Sequence, residues 1–160
     1  MGIKNFYVRI SVMTLVFGFM VIGTLEAQAD NRLNGRWFSA DGGIETEYRF
    51  NNGNFESSIG GIPLQRGTYT TNNGEITIYE THIFGGALDV MGISGLESKW
   101  YSRNEFIIAI RPILIGFGLS DREVNEAIHD MMSTASYNYS VDANTLIFSS
   151  TDGVIVFNKR

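Results

Sequence analysis

Apolar and polar residues alternate over short stretches of this chain, and turn-forming residues separate the stretches. From 44 to 50, aromatic, aliphatic or threonine side chains take every second position, and charged side chains lie between them. This is the period of a strand with one face in water. Asn52-Gly53 and Asn73-Gly74 favour the positive backbone angles of tight hairpin turns. The stretches predicted as strands are 44–50, 54–59, 67–71, 75–79, 137–141, 145–149 and 154–158, with a further hairpin turn at Asp152-Gly153.

Short strands at such close spacing predict an all-β fold, an antiparallel meander β-barrel with one amphipathic helix. A sandwich of two sheets is the alternative, because hairpin spacing alone does not decide closure. The run EFIIAI at 105–110 has apolar residues on both faces and predicts a strand buried on both sides.

One segment has the period of a helix instead. Ser120 and Glu123 have the spacing of a capping box, and the pattern after them predicts a helix over 120–133. Its apolar stripe indicates packing against the barrel, and a partner-binding face is the alternative. The stripe consists of Val124, Ala127, Ile128, Met131 and Met132.

The segments 84–95 and 111–119 combine apolar residues with several glycines and show no strand period. Two interpretations fit this composition. The segments either form a hinged cover over a cavity, with the glycines absorbing the motion, or are strands or permanent core at one end of the barrel.

The first residues have the pattern of a secretory signal peptide. Lys4 and Arg9 precede an uncharged apolar run at 10–25, and Ala27-Gln28-Ala29 supplies a small-x-small cleavage site. We therefore expect a signal peptide at 1–29 and one mature domain at 30–160, in the periplasm or secreted, with no stable membrane span after processing. An uncleaved membrane anchor is the alternative.

Charge and cysteine content narrow the classes of function. The chain has 12 basic and 17 acidic residues, a net charge of −5, and no cysteine. Without Lys4, Arg9 and Glu26 the balance is 12 − 2 = 10 basic against 17 − 1 = 16 acidic residues, a net −6. Nucleic acid is therefore not an expected partner. Disulfides, thiol catalysis and thiolate metal sites are excluded, so burial of apolar surface must hold the domain together.

Gly35-x-Trp37 stands at the start of the first strand, before the series of hairpins. This combination resembles the bacterial lipocalin-like domains of the calycin group, over roughly the mature chain. The resemblance implies that Trp37 packs across the closed end of a barrel, under a basic residue of the last strand, Lys159 or Arg160. It also implies a small hydrophobic ligand inside the barrel. The predicted helix departs from the family because it precedes the last strands.

Candidate chemistry is sparse. Glu80 and His82 share a face with Ile76 and Ile78, so the pair either projects into the barrel as a polar ligand anchor or is turned to solvent by a twist or bulge. His129 is expected on the solvated side of the helix. The aromatic residues that either line a cavity or fill the barrel are Tyr48, Phe50, Phe55, Tyr69, Tyr137, Tyr139 and Phe148.

The chain contains no phosphate loop, no nucleophile elbow and no zinc-protease or calcium-loop motif. We therefore expect a non-enzymatic protein with no cofactor and no metal. The expected function is binding of a small hydrophobic ligand by Glu80, His82 and the aromatic set. The alternative is a module with a solid barrel that contacts an unidentified envelope protein.

Overall fold

The computed structural model describes residues 29–41, 44–132, 134–151 and 153–160, without the side chain of Asp41. The predicted signal peptide, except Ala29, lies outside the described residues. So do Ser133, at the end of the predicted helix, and Asp152, in the last predicted hairpin turn.

The described residues form nine strands, and these include all seven strands predicted from the alternating pattern. The strands are β1 Gly35–Asp41, β2 Ile44–Asn51, β3 Asn54–Ile59, β4 Ile62–Asn72, β5 Glu75–Phe84, β6 Trp100–Ser102, β7 Ala135–Val141, β8 Thr145–Ser150 and β9 Gly153–Lys159.

The strands close into a barrel, which confirms the all-β prediction. β1, β2, β3, β4, β5, β7, β8 and β9 pair in this order, all antiparallel, and β9 returns to β1. The short β6 pairs with the end of β5, outside the ring of eight. The closing seam is short, because β1 and β9 share only the pairs Trp37–Lys159 and Phe38–Asn158.

The hairpin turns follow the predicted chemistry. Asn52 and Asn73 have φ angles of 46° and 48°, and the glycines after them have φ angles of 83° and 82°, as a type I′ turn requires. In the turn between β7 and β8, the Asp142 carboxylate accepts hydrogen bonds from the backbone N–H groups of Asn144 and Thr145.

Three helices lie between β5 and β7: α1 Gly85–Val90, α2 Arg103–Gly116 and α3 Asp121–Met131. We call residues 85–132 the helical insertion. The predicted helix is confirmed as α3, with Ser120 as its N-cap and the expected capping box. The expectation of a single helix is wrong, because the fold also contains α1 and α2.

The strand predicted at 105–110 is also wrong, since these residues belong to α2. A buried strand and a buried helix have similar composition, so apolar residues on both faces do not distinguish them. The helix has its own start signal, since the Glu105 carboxylate accepts hydrogen bonds from the N–H and the hydroxyl of Ser102. Phe106, Ile110 and Leu114 then form a buried stripe at a spacing of four.

Buried residues form two hydrophobic clusters. The barrel cluster fills the barrel interior, and the insertion cluster joins the helices to the end of β5. The barrel cluster consists of Leu33, Trp37, Phe50, Phe55, Tyr69, Ile76, Ile78, Leu146, Phe148 and Phe157. The insertion cluster consists of Ile83, Leu88, Ile93, Tyr101, Phe106, Ile110, Leu114, Val124, Ala127, Ile128 and Met132.

The segments 84–95 and 111–119 belong largely to this insertion. The first contains α1 and the second contains the end of α2, so neither forms the additional barrel strands considered above. Leu88, Ile93 and Leu114 are buried core residues, whereas Val90 and Phe117 are about half exposed. The arrangement favours a structural cover over one end of the barrel, and motion of these segments stays a prediction.

Trp37 lies at the opposite end, which we call the Trp37 end. It is fully buried, and its indole N–H donates to the carbonyl of Leu33 at 2.6 Å. Lys159 supplies the basic group, with Nζ 4.9 Å from the centre of the Trp37 ring, and the Arg160 guanidinium lies over Phe38 instead. Gly35, at φ 139°, leaves room for Lys159, because a Cβ atom there would lie 2.9 Å from Lys159 Cε.

Candidate functional site

The barrel interior is filled by side chains at the Trp37 end. Phe50, Phe55, Tyr69 and Phe148 are at most 2 % exposed and pack against one another. An eight-stranded barrel is just wide enough to be filled in this way. Four of the nine residues predicted to bind a ligand therefore form solid core in this structure.

A cavity of about 60 Å³ lies at the other end, between the barrel cluster and the helical insertion. Ligand pockets for drug-sized molecules measure roughly 300–1,000 Å³. The cavity is therefore suited to a much smaller occupant, with space on the order of five water molecules. Its walls are Tyr48, Leu64, Gln65, Ile78, Glu80, Ile83, Leu88, Met91, Ile93, Phe106, Asp130, Met131, Ala135 and Tyr137.

Three of the predicted ligand-binding residues line this cavity: Tyr48, Glu80 and Tyr137. Tyr139 is partly buried near the N-terminal residues of the domain, where its hydroxyl donates to the Asp30 carboxylate at 2.8 Å. His129 is exposed on α3, as expected.

A β-bulge separates Glu80 from His82. Arg66 pairs with His82 and Gly67 pairs with Glu80, so Thr81 is an extra residue on β5. The bulge shifts the buried face of the strand from Ile78 and Glu80 to Ile83. His82 is not among the cavity-lining residues, and its Nδ1 lies 3.0 Å from the Thr81 hydroxyl. Glu80 thus faces the cavity, whereas His82 is partly buried outside the cavity lining.

Glu80 is a carboxylic acid of the site whose proton affinity is strongly increased. It is half-buried, and its removal from water raises the pKa of its carboxyl group to about 8. The positive charge of Arg103 and a hydrogen bond from the Gln65 side chain lower the pKa but do not cancel this effect. Arg103 is exposed, and its Nη1 donates to the Met132 carbonyl at 2.6 Å. Most Glu80 side chains are therefore protonated at neutral pH.

Two tyrosines complete the polar part of the wall. Burial raises the pKa of the Tyr48 hydroxyl, and the charges of Tyr137 and Glu80 add to the effect. Burial also raises the pKa of the Tyr137 hydroxyl, again with a contribution from Glu80. Both phenols stay protonated at neutral pH and can donate or accept a hydrogen bond.

The apolar side of the cavity comes mainly from the helical insertion, through Leu88, Met91, Ile93, Phe106 and Met131. Leu88, Met91 and Ile93 lie in the segment 84–95, one of the two predicted either as a cover over a cavity or as core at the end of the barrel. Met131 lies in the predicted helix stripe and Phe106 in the segment predicted as a buried strand, so neither of these two was expected at the cavity. The capping box Ser102–Glu105 was the available signal for α2, and hence for Phe106.

Within the described part of the chain, no group of three or more metal-ligating side chains is close enough to hold a metal ion. No helix of the described residues has the length and apolar character needed to cross a membrane.

The fold defines the class of protein as an antiparallel eight-stranded β-barrel, compatible with the lipocalin-like resemblance noted in the sequence. Comparison of the chain with protein-family models, curated proteins and solved structures finds no match.

Proposed function

We propose that this is an exported, lipocalin-like binding protein that holds a small, largely apolar molecule in the cavity between its barrel and its helical insertion. The observation that carries the proposal is Glu80, an ionisable side chain facing a cavity with mostly apolar walls. A carboxyl group is costly to remove from water, and perturbed carboxyls in clefts are typical of functional sites.

The composition of the walls supports the same function. A few polar groups (Glu80, Gln65, Tyr48 and Tyr137, with Asp130 at the rim) converge on a space whose remaining walls are aliphatic, methionine and phenylalanine side chains. Such an arrangement is typical of sites that bind an apolar molecule and orient it by one polar group. Met91 and Met131 supply flexible thioethers that adapt to the shape of an occupant.

Methyl NMR of selectively labelled methionine tests the proposal. Met91 and Met131 line the cavity, whereas Met132 is buried outside its lining and serves as the internal reference. We expect n-butanol to shift the Met91 and Met131 signals saturably and to leave Met132 nearly unchanged. Assignment by Met→Leu substitution identifies each signal.

A cavity-filling variant supplies the control. Ala135 lines the cavity, so Ala135→Leu occupies part of it and should weaken the butanol response at least tenfold. Ala40→Leu adds the same side chain at an exposed position of β1 and should leave the response unchanged. Equal responses in the two variants, or no saturable response in the wild-type protein, would contradict the proposal. Native mass spectrometry of the protein purified from its own host should detect a co-purified small molecule.

A second candidate function, an interaction module, is favoured by a different observation. Val154, Ile155 and Val156 of β9 are 64 %, 36 % and 46 % exposed. They pair with β8, and among the described residues the β1–β9 pairing covers only residues 158 and 159 of β9. An apolar strand with one unpaired edge can accept another strand.

A further inference from the structure

The charges around the cavity restrict the chemistry of its occupant. Two carboxylic acids, Glu80 and Asp130, are among the lining residues, and no lysine, arginine or histidine is. Asp130 is exposed and so lies at the rim, whereas Glu80 is half-buried. An anionic molecule in the cavity would face the Glu80 carboxyl group, and no lysine, arginine or histidine side chain lines the wall to attract it. The wall therefore disfavours anions.

No lining side chain supplies a positive charge to Glu80. The nearby cation, Arg103, is exposed, lies outside the lining and donates to the Met132 carbonyl. The bulge at Thr81 moves His82 out of the lining. None of the salt bridges between described residues includes Glu80. A Glu80 carboxylate thus has room for a cationic partner on its cavity side.

Aromatic rings lie on the same cavity wall. Tyr48, Tyr137 and Phe106 line it together with Glu80. The face of an aromatic ring attracts an organic cation, and this attraction is strongest where water is excluded. A carboxylate and aromatic rings around a small apolar space are the combination that binds an ammonium group bearing a short hydrocarbon chain.

We propose that the cavity binds a small primary amine as its ammonium ion, with the nitrogen against the Glu80 carboxylate and the hydrocarbon chain among Leu88, Met91 and Ile93. This inference rests on the proposed function, because it names the ligand class for the same cavity. The volume of about 60 Å³ limits the ligand to an amine of a few carbon atoms.

Binding of such a cation is coupled to loss of a proton. The raised pKa of Glu80, about 8, means that the empty site holds a neutral carboxyl group at pH 7. When the ammonium ion binds, Glu80 releases its proton to solvent and the ion pair forms. Amine affinity should therefore increase by up to about tenfold per pH unit between pH 6 and pH 8. The other charged or titratable groups near Glu80 on β5 and on the elements packed against it include Tyr48, Arg66, Tyr79, His82, Asp89, Tyr101, Arg103, Glu105, Asp130 and Tyr137.

The test compares n-butylamine with n-butanol, which have the same chain and differ only in the polar group. Calorimetric titrations at pH 6, 7, 8 and 9 measure both ligands against the wild-type protein and Glu80→Gln. We expect amine affinity to rise with pH in the wild-type protein and to fall at least tenfold at pH 8 in the variant. Butanol should bind both proteins within about threefold of each other.

Glu75→Gln is the matched control, because Glu75 is an exposed carboxylate on the same strand and lies outside the cavity. It should leave amine affinity and its pH dependence unchanged. Two outcomes would overturn the amine proposal and leave the binding function intact. Butylamine could bind no better than butanol at pH 8, or the pH dependence of amine affinity could persist in Glu80→Gln. Failure of both ligands to bind would overturn both proposals.

A second measurement needs only the wild-type protein. Titration of the wild-type protein in buffers of different ionisation enthalpy measures the protons released as the amine binds. Release of close to one proton per amine at pH 7 supports the proposal, and release of none overturns it.

Discussion

Single residues decide the chemistry of this barrel, and Glu80 is the clearest case. One extra residue on β5, Thr81, leaves Glu80 facing the cavity and removes His82 from its wall. A regular strand would have placed both side chains on one face. The Glu80 carboxyl group has no salt bridge within the described chain. Its burial is therefore the largest effect on its pKa, which it raises.

The raised pKa of Glu80 makes a prediction about stability. The folded protein keeps a proton on Glu80 up to about pH 8, whereas the unfolded chain loses it near the ordinary value of 4.5. The stabilisation is complete below pH 4.5 and is lost as the pH rises through 8. Glu80→Gln should therefore match the wild-type protein at pH 5 and exceed its free energy of unfolding by about 1–3 kcal/mol at pH 9.

Urea unfolding at pH 5 and pH 9 measures both values, and Glu75→Gln controls for the loss of one negative charge. The raised pKa would be contradicted if the free energies of unfolding of Glu80→Gln and the wild-type protein differed by the same amount at both pH values. A variant less stable than wild type at pH 9 would show that the carboxylate, once ionised, is well paired.

Gly35 shows a structural role at the same scale. Its φ of 139° is unfavourable for other residues, and the absence of a Cβ atom lets the Lys159 side chain cross the strand to reach the Trp37 ring. The Gly-x-Trp pattern thus has a local physical reason here, independent of any family membership.

At the scale of elements, β5 organises the molecule because it changes partners along its length. It pairs with β4 on one side, and on the other with β7 through residues 75–78 and with β6 through residues 82–84. The barrel wall therefore continues through the first half of β5, and its second half carries the helical insertion. The cavity lies where these two halves meet.

The helical insertion depends on two capping boxes of the same type. Ser102 and Glu105 begin α2, and Ser120 and Glu123 begin α3. Because the insertion cluster includes Ile83 of β5, we expect the helices and barrel to unfold together. Ser102→Ala and Ser120→Ala should each lower the free energy of unfolding by about 0.5–2 kcal/mol.

Thermal or urea unfolding, followed both by far-ultraviolet circular dichroism and by tryptophan fluorescence, measures the effect. Ser140→Ala, at an exposed position of β7, is the control and should change stability little. Two separate transitions, with only the first moved by the cap variants, would mean that the insertion unfolds independently of the barrel.

At the scale of the whole molecule, the barrel is closed but its seam is uneven. Only the end of β9 pairs with β1, and Val154, Ile155 and Val156 leave apolar surface along the unpaired edge. Natural proteins usually protect such edges with charges or with covering elements, so this edge is the expected site of strand addition.

Lysine substitution tests that expectation. We expect the wild-type protein to self-associate as its concentration rises. The double variant with Val154→Lys and Val156→Lys should self-associate less and keep the stability of the wild-type protein. Sedimentation velocity over a concentration series measures the association. Ser140→Lys adds a positive charge on β7 and should leave it unchanged. A wild-type protein that stays monomeric throughout, or equal effects of all the lysine variants, would count against the edge as an interaction surface.

The sequence by itself determined the local elements of this protein. Alternation with period two predicted seven strands, Asn-Gly pairs predicted hairpins, and the Ser120–Glu123 spacing predicted α3. These signals are readable because each depends on neighbours within a few residues: the backbone angles of a turn, a capping hydrogen bond, or one face in water.

Only the tertiary structure decided how the elements combine. The bulge at Thr81 depends on the register of β4 against β5, and the filling of the barrel depends on the volumes of side chains from many strands. The segment at 105–110 became a helix because Phe106 and Ile110 pack into the insertion cluster, a contact that its composition does not reveal. The cavity formed where that cluster meets the barrel, because its walls come from segments far apart in the chain and acquire their shape only when these pack together.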